Sequence, residues 1–287
     1  MRHRTFQFTL ALALCASTIG CAAGEAPPIN AGPTQSTPVK PTTGSRDSND
    51  GNLLLGNPTK AAKDPDNYLL DRPQYTMSYN RSRGGSNWVA WHIDKQDLGG
   101  EDRGNFRPDP DLPKEWQISP NDYRGSGYDR GHVCPSGDRT SSREDNDATF
   151  YMSNMLPQTA ELNRAVWADF ENALRDIVRQ GNEVYVMAGG SGKAGTIAEG
   201  KVVVPQICWK VALILPEGKN DLKRINAQTR VITVAMPNVA EQKLKDGDWR
   251  QYIVTTKKLS SAIKMDFFPA LPKDVQTALE AKQDDGA

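Results

Sequence analysis

Residues 123–140 read Tyr-Arg-Gly-Ser-Gly-Tyr-Asp-Arg-Gly-His-Val-Cys-Pro-Ser-Gly-Asp-Arg-Thr, with Asp129-Arg130-Gly131-His132 at the centre. Imidazole is the natural general base near neutrality, because its ordinary pKa lies close to the working pH. Arg130 adds a planar guanidinium fork suited to phosphate oxygens. Gly131 admits a conformation or a close approach that a Cβ would block. The chain holds three histidines, His3, His92 and His132, and His3 falls in a leader-like segment. Two imidazoles remain for the rest of the chain, which argues against a two-His or three-His zinc centre. A lone His is more often structural than catalytic, and an Asp-Arg-Gly-His tetrapeptide can arise by chance.

A second group follows downstream: Asn163, Trp167, Glu171 and Arg175, each four residues after the last. On a helix each such step drifts about 40°, so the four span roughly 120° and share a face. The helix expected to carry them begins near Glu161 and runs to about Gln180. Val166, Phe170, Leu174 and Ile177 form its core-facing stripe. Taken alone, the polar row reads as a solvated face with a Glu171–Arg175 pair worth about 0.3–0.5 kcal/mol. Joined to the His132 motif, it reads as a site with a base, a carboxamide, a carboxylate and guanidinium groups.

The elements that must position these groups show in the pattern of the chain. Tyr75–Tyr79 and Trp88–Ile93 read as strands flanking a turn rich in Arg, Gly and Ser. His92 lies inside the second of them, between Trp91 and Ile93, and reads as structural. An irregular stretch follows through Gly99, Gly100, Pro108, Pro110 and Pro113, whose prolines disfavour a helix. Asn182–Met187, Lys201–Pro205, Cys208–Leu215 and Arg230–Ala235 are further strands, rich in β-branched residues. Lys210, in the third of these, reads as a structural or surface lysine. A helix is expected at about Thr255–Ile263. Strands from distant parts of the chain with few helices indicate an α+β domain around an antiparallel sheet.

Composition narrows the function. The chain has 287 residues, 35 basic and 35 acidic side chains, and a pI of about 6.8. It is neither a polycation that binds nucleic acid through bulk charge, nor an acidic disordered tail, nor a multi-pass membrane protein. Between Ser119 and Gln180 seven Lys/Arg stand against ten Asp/Glu, so a polyanion would be held by a few placed arginines.

The first residues, Met-Arg-His-Arg and then a mostly apolar run from Phe6 to Ile19, describe an export signal. Gly20-Cys21 suggests cleavage before Cys21 with lipidation of its thiol; simple cleavage near Ala23 is the alternative. The expected division is a signal over 1–21, a Pro/Ser/Thr/Gly-rich spacer over 22–51, one domain over 52–275 and a polar tail over 276–287. The product would be secreted, periplasmic or lipid-anchored at the cell envelope. Beyond the leader two cysteines remain, Cys134 and Cys208. An oxidising compartment favours a bridge between them, and two separate buried thiols are the alternative.

Over residues 53–270 the chain resembles the DNA/RNA non-specific endonucleases, the family of secreted sugar-non-specific nucleases and endonuclease G. The likeness rests on Ser78-Tyr-Asn80, Asn87-Trp-Val-Ala-Trp91, Asp122-Tyr123, Ser126-Gly-Tyr-Asp-Arg-Gly-His132 and Asp138-Arg139. It continues through Phe150–Gln158, Leu162-Asn163, Trp167, Glu171, Val204-Pro205 and Trp209-Lys210. The resemblance implies a ββα-metal (His-Me finger) site and an Mg²⁺-dependent enzyme, with Mn²⁺ as a substitute, that cuts DNA and RNA to 5′-phosphate and 3′-hydroxyl ends. His132 would be the general base and Asn163 the one direct protein ligand of the metal. Glu171 would hold the metal's water shell. Arg103 and Arg175 would contact phosphate, with Arg130 supporting the substrate or the site. Asp129 would stand near the metal waters, and Asn154 would help position water or His132. Expected partners are DNA and RNA as substrates, a second copy as a homodimer, and a membrane only through a lipid at Cys21. The alternatives are a catalytically inactive nucleic-acid-binding lipoprotein and a narrow-substrate phosphodiesterase.

Overall fold

In the computed structural model, which describes residues 51–287, two hairpins open the chain. They are β1 (Lys63–Asp64) with β2 (Asn67–Asp71), and β3 (Thr76–Asn80) with β4 (Gly85–Ile93). The Asp-Arg-Gly-His motif is itself a strand, β5 (Asp129–His132), and α1 (Arg143–Ala148) separates it from its partner β6 (Met155–Gln158). Two helices follow, α2 (Ala160–Asn163) and α3 (Val166–Arg179). The chain then runs through β7 (Asn182–Ser191), β8 (Gly195–Ile197), β9 (Val202–Val204), β10 (Ile207–Pro216), α4 (Asp221–Arg224) and β11 (Arg230–Pro237). It ends with α5 (Gln242–Lys245), α6 (Thr256–Ile263) and α7 (Lys273–Ala281).

Seven strands form one sheet in the order β1-β2-β3-β4-β7-β10-β11, and every neighbouring pair is antiparallel. The fold is α+β around an antiparallel sheet, as the sequence pattern indicates. Strand alternation sends successive side chains to opposite faces. Val184, Val186 and Ala188 of β7 join Trp91, Val89 and α3 on one face. Tyr185 and Met187 join Trp88, Trp209, Leu259 of α6 and Leu279 of α7 on the other. Leu55, at the start of the described chain, packs in this second cluster.

The apolar stripe of α3 is Val166, Phe170, Leu174 and Val178, with Ile177 partly buried at its border. Truncating a buried ring such as Phe170 to Ala costs about 3–5 kcal/mol. The single helix expected from Glu161 to Gln180 is broken. Arg164 and Ala165 separate α2 from α3, and Ala165 has non-helical angles of φ −127° and ψ −108°. Thr159 caps α2 through Leu162 N–H, and the Arg164 side chain turns aside to Asp129. Asn163 therefore precedes a kink and does not share one straight helix with Glu171 and Arg175.

The proline-rich stretch is fixed by buried charge rather than by regular structure. Arg72 donates to Asp109 at 2.5 Å and Ser153 donates to the second oxygen of Asp109, while the Arg107 backbone forms an isolated β-bridge with Tyr151. The expected Cys134–Cys208 bridge is not formed: both thiols are free and buried. They fill positions in the core between the sheet and α3, where free cysteine behaves as a small apolar residue. Burial pushes the Cys208 thiol up to about 12. The boundary expected before residue 276 falls inside α7, where Leu279 is fully buried, and Asp284 is bound to Arg230. The leader over 1–21 with Cys21, and the spacer apart from Gly51, lie outside the described residues.

Candidate active site

Pairing of β5 with β6 sets the His132 backbone opposite Met155. Asp-Arg-Gly-His has little strand propensity of its own, so the strand is imposed by its neighbours. The fully buried Asn154 completes it. Its side-chain oxygen accepts from Cys134 N–H at 3.0 Å, and its amide donates to the Cys134 and Thr149 carbonyls at 2.8 and 2.9 Å. Gly131 meets a close approach: a Cβ there would stand 1.8 Å from the Gln158 side-chain oxygen. That is the role of Gly131 anticipated from its type.

The His132 ring lies against two aromatics, Phe150 at 4.8 Å and Phe106 at 5.5 Å between centroids. Its Nε2 is buried and has no hydrogen-bond partner among the described residues. Burial, with Arg103 and Lys210 close enough to repel a proton, pulls its pKa down to about 3. The imidazole is thus neutral near pH 7, the form that can accept a proton. Arg130 and Arg103 stack on the same two aromatics, Arg130 4.4 Å from the Phe106 centroid and Arg103 5.3 Å from that of Phe150. Both arginines are exposed at the mouth of the site.

These groups line one cavity of about 390 Å³ together with Asn163, Glu171 and Arg175. Six of the residues singled out in the sequence therefore converge: Arg103, Arg130, His132, Asn163, Glu171 and Arg175. Asp129 stands beside them and accepts from Asn163 Nδ2 at 3.0 Å and from Arg164 at 2.6 and 2.8 Å. Hydrogen bonds from Arg164 first, and then from Asn163, hold the Asp129 carboxyl below the usual range against the effect of burial. Because its amide nitrogen is engaged, Asn163 turns its carbonyl oxygen the other way. Among the described residues that oxygen accepts no hydrogen bond. Asn154 lies behind His132 rather than in the cavity, and Cys134 and Cys208 belong to the core.

Two buried residues brace the wall, Asp138, which the sequence places only within the family resemblance, and Lys210, which it reads as a structural or surface lysine. Asp138 accepts from Arg175 at 2.7 Å and from Trp91 Nε1 at 2.9 Å. Gly137 makes room for that arginine, since a Cβ would come within 2.9 Å of Arg175 Nη1. Lys210, fully buried on β10, donates to Glu171 Oε1 at 2.7 Å. Burial pushes the Glu171 carboxyl up while Lys210 pulls it down. The available signal was a lysine in the middle of an otherwise apolar strand.

A hard divalent cation that keeps most of its water fits this donor set. It needs few protein oxygens, and the Asn163 carbonyl and the Glu171 carboxylate, which line the same cavity, could provide them. Two other groups of ligating side chains occur elsewhere, His92 with Glu183 and Asp221, and His92 with Asp94 and Asp97. Arg224 pairs with Glu183 and Asp221 in the first, and Arg139 pairs with Asp97 in the second.

Comparison with known proteins adds an independent line. Residues 57–274 match the family described as DNA/RNA non-specific endonuclease. A protein of Nostoc sp. named Nuclease is 44% identical over 271 residues, which cover 93% of this chain and 97% of that one. The Nuclease of Serratia marcescens is 27% identical over 248 residues, covering 80% and 85%. A crystal structure described as the EndoG/EndoGI complex superimposes with a TM-score of 0.67 over 81% of this chain and 96% of that one. At 24% identity that last likeness speaks to the fold.

Proposed function

This chain belongs to the DNA/RNA non-specific endonuclease family, and from that premise we propose that it is an exported, Mg²⁺-dependent endonuclease. It is a nuclease, a hydrolase of phosphodiester bonds, in a family of metal-dependent enzymes. On our reading it cuts both DNA and RNA with little sequence preference and leaves 5′-phosphate and 3′-hydroxyl ends. The observation that carries this reading is the neutral, unpartnered His132 imidazole in one cavity with the free Asn163 carbonyl and three arginines.

His132 takes the proton of a water as its oxygen attacks phosphorus. The bond from phosphorus to the 3′ oxygen breaks, and that oxygen is protonated by solvent. Arg103 and Arg130, held on aromatic faces, contact the phosphate from the mouth of the cavity. Arg175, tied to Asp138, meets it from the wall. Their fixed charge favours the more negative transition state in a partly dehydrated site. Asn163 would hold the Mg²⁺, with Asp129 fixing the orientation of its amide and Glu171 ordering the bound water. When bound, the ion neutralises charge on the phosphate and on the departing oxygen. The arginines read backbone rather than bases, consistent with low sequence preference. The apolar run before Gly20-Cys21 supports export, with lipidation at Cys21 as one form of it.

The test is degradation of supercoiled plasmid and total RNA by the purified protein, with Mg²⁺ and with EDTA. Loss of both substrates in Mg²⁺ alone is expected. Fragments should ligate without prior phosphorylation, which reads the ends. A folded protein that cleaves neither substrate with Mg²⁺ or Mn²⁺ would sink the proposal.

A further inference from the structure

Lys210 occupies a central strand, in register with Ala188 on one side and Val234 on the other, and its side chain is fully buried. Its ammonium donates to Glu171 Oε1 at 2.7 Å and reaches the Val133 carbonyl at 3.5 Å. Trp167 and Trp91 close over it, with ring centroids 4.0 and 5.5 Å from Nζ. It is thus closed off from a phosphate in the cavity.

An apolar side chain would suit this strand at less cost, because burying an ammonium forfeits its hydration. What the ammonium provides is a fixed point beneath the cavity. Val133 follows His132 directly, so one cation touches both the carboxylate of α3 and the strand that carries the imidazole. We propose that Lys210 is a positioning residue: from inside the sheet it fixes the Glu171 carboxylate relative to His132, without touching substrate. This rests on the nuclease reading above. It also explains how Glu171, with 13% of its side chain exposed, keeps one orientation in an open cavity. Aromatic faces hold the ammonium without competing for the carboxylate.

The experiment compares the full chain with Lys210→Met, Lys210→Arg, Glu171→Gln and the double variant Lys210→Met/Glu171→Gln. Initial rates on plasmid are read against substrate and against Mg²⁺, and Mn²⁺ binding is followed by electron paramagnetic resonance. Removal of a group that orients a metal's surroundings weakens affinity or activity by roughly 10–100-fold. Lys210→Met should therefore lower kcat or weaken Mn²⁺ binding by about that factor, with KM for plasmid changed less than about threefold. Lys210→Arg, which keeps the charge, should recover part of the loss. In the Glu171→Gln background Lys210→Met should add less than about threefold, because the two act as one unit.

The double variant leaves no buried charge unpaired, so it keeps the comparison open if Lys210→Met does not fold. Equal losses in both backgrounds, or a tenfold drop from Glu171→Gln to the double variant, would overturn the proposal. So would a Lys210→Met protein that matches the wild type. A wild type that cleaves nothing would instead overturn the nuclease reading.

Discussion

His92 and His132 are both buried, each on a strand, and each leaves one ring nitrogen without a partner. What separates them is the charge around them. His92 places Nε2 3.1 Å from Glu183 and stacks on Tyr185 with centroids 4.5 Å apart, and Arg224 in turn holds Glu183. Among the described residues His132 has no carboxylate partner; its ring lies among phenylalanines, with cations as the charges that perturb it. A carboxylate secures the first ring in the fold. Burial first, and then the cations beside it, keep the second unprotonated. Burial alone does not distinguish a structural histidine from a base; the sign of its neighbours does.

The largest effect should come from exchanging the two. We expect His132→Ala to lower kcat/KM by about 10²–10⁴-fold, since that is the span of general-base catalysis. His92→Ala should keep the rate within about threefold and cost about 2 kcal/mol of stability, because Glu183 loses a buried partner. Comparable activity losses in the two folded variants would erase the distinction.

Next in size is the support of the Asn163 carbonyl. Asp129→Ala should reduce activity about 10–100-fold, as removal of an orienting partner does. Arg164→Ala, which removes only the exposed partner of Asp129, should cost less than about threefold. A silent Asp129→Ala would show that the Asn163 amide needs no holder.

A smaller effect, on pH dependence, sharpens the contrast. The folded pKa of His132, about 3, lies below the ordinary value of 6.5. The unfolded chain therefore binds a proton first as the medium is acidified. The neutral ring contributes its full share of stability above about pH 6.5 and loses it as the pH falls toward 3. Wild type should lose more stability than His132→Phe between pH 7 and pH 4.5, measured by urea unfolding. Its rate should also stay level well below pH 6.5, until acid protonates the ring. Equal losses of stability in the two proteins would refute the assignment. The smallest effect is expected at the cysteines. Reductant should leave the melting temperature unchanged, and both thiols should react with Ellman's reagent once the unreduced protein is unfolded.

Much of this was legible in the chain because chemistry and periodicity coincide there. Asp129–His132 is contiguous, and the stripe from Val166 to Leu174 keeps its period in α3. The elements that escaped are those made by tertiary contact. β5 is a strand because Asn154 and β6 supply its partners, and Asp-Arg-Gly-His carries no such preference. The break after Asn163 is set by Asp129 drawing both Asn163 and Arg164 toward the motif, a contact between segments far apart in sequence. Lys210 was passed over because a lysine in a strand is ordinarily at the surface, and only the folded chain puts Glu171 above it. The cysteine pairing was argued from compartment, whereas local packing decides it.

Leu55 packs on the α6–α7 face of the sheet, and α3, which lines the cavity through Glu171 and Arg175, packs on the other. The described chain thus begins on one side of the sheet and carries the cavity on the other. The sheet is therefore a partition, and a change made among Leu55, Leu259 and Leu279 has a layer of strands between it and the cavity.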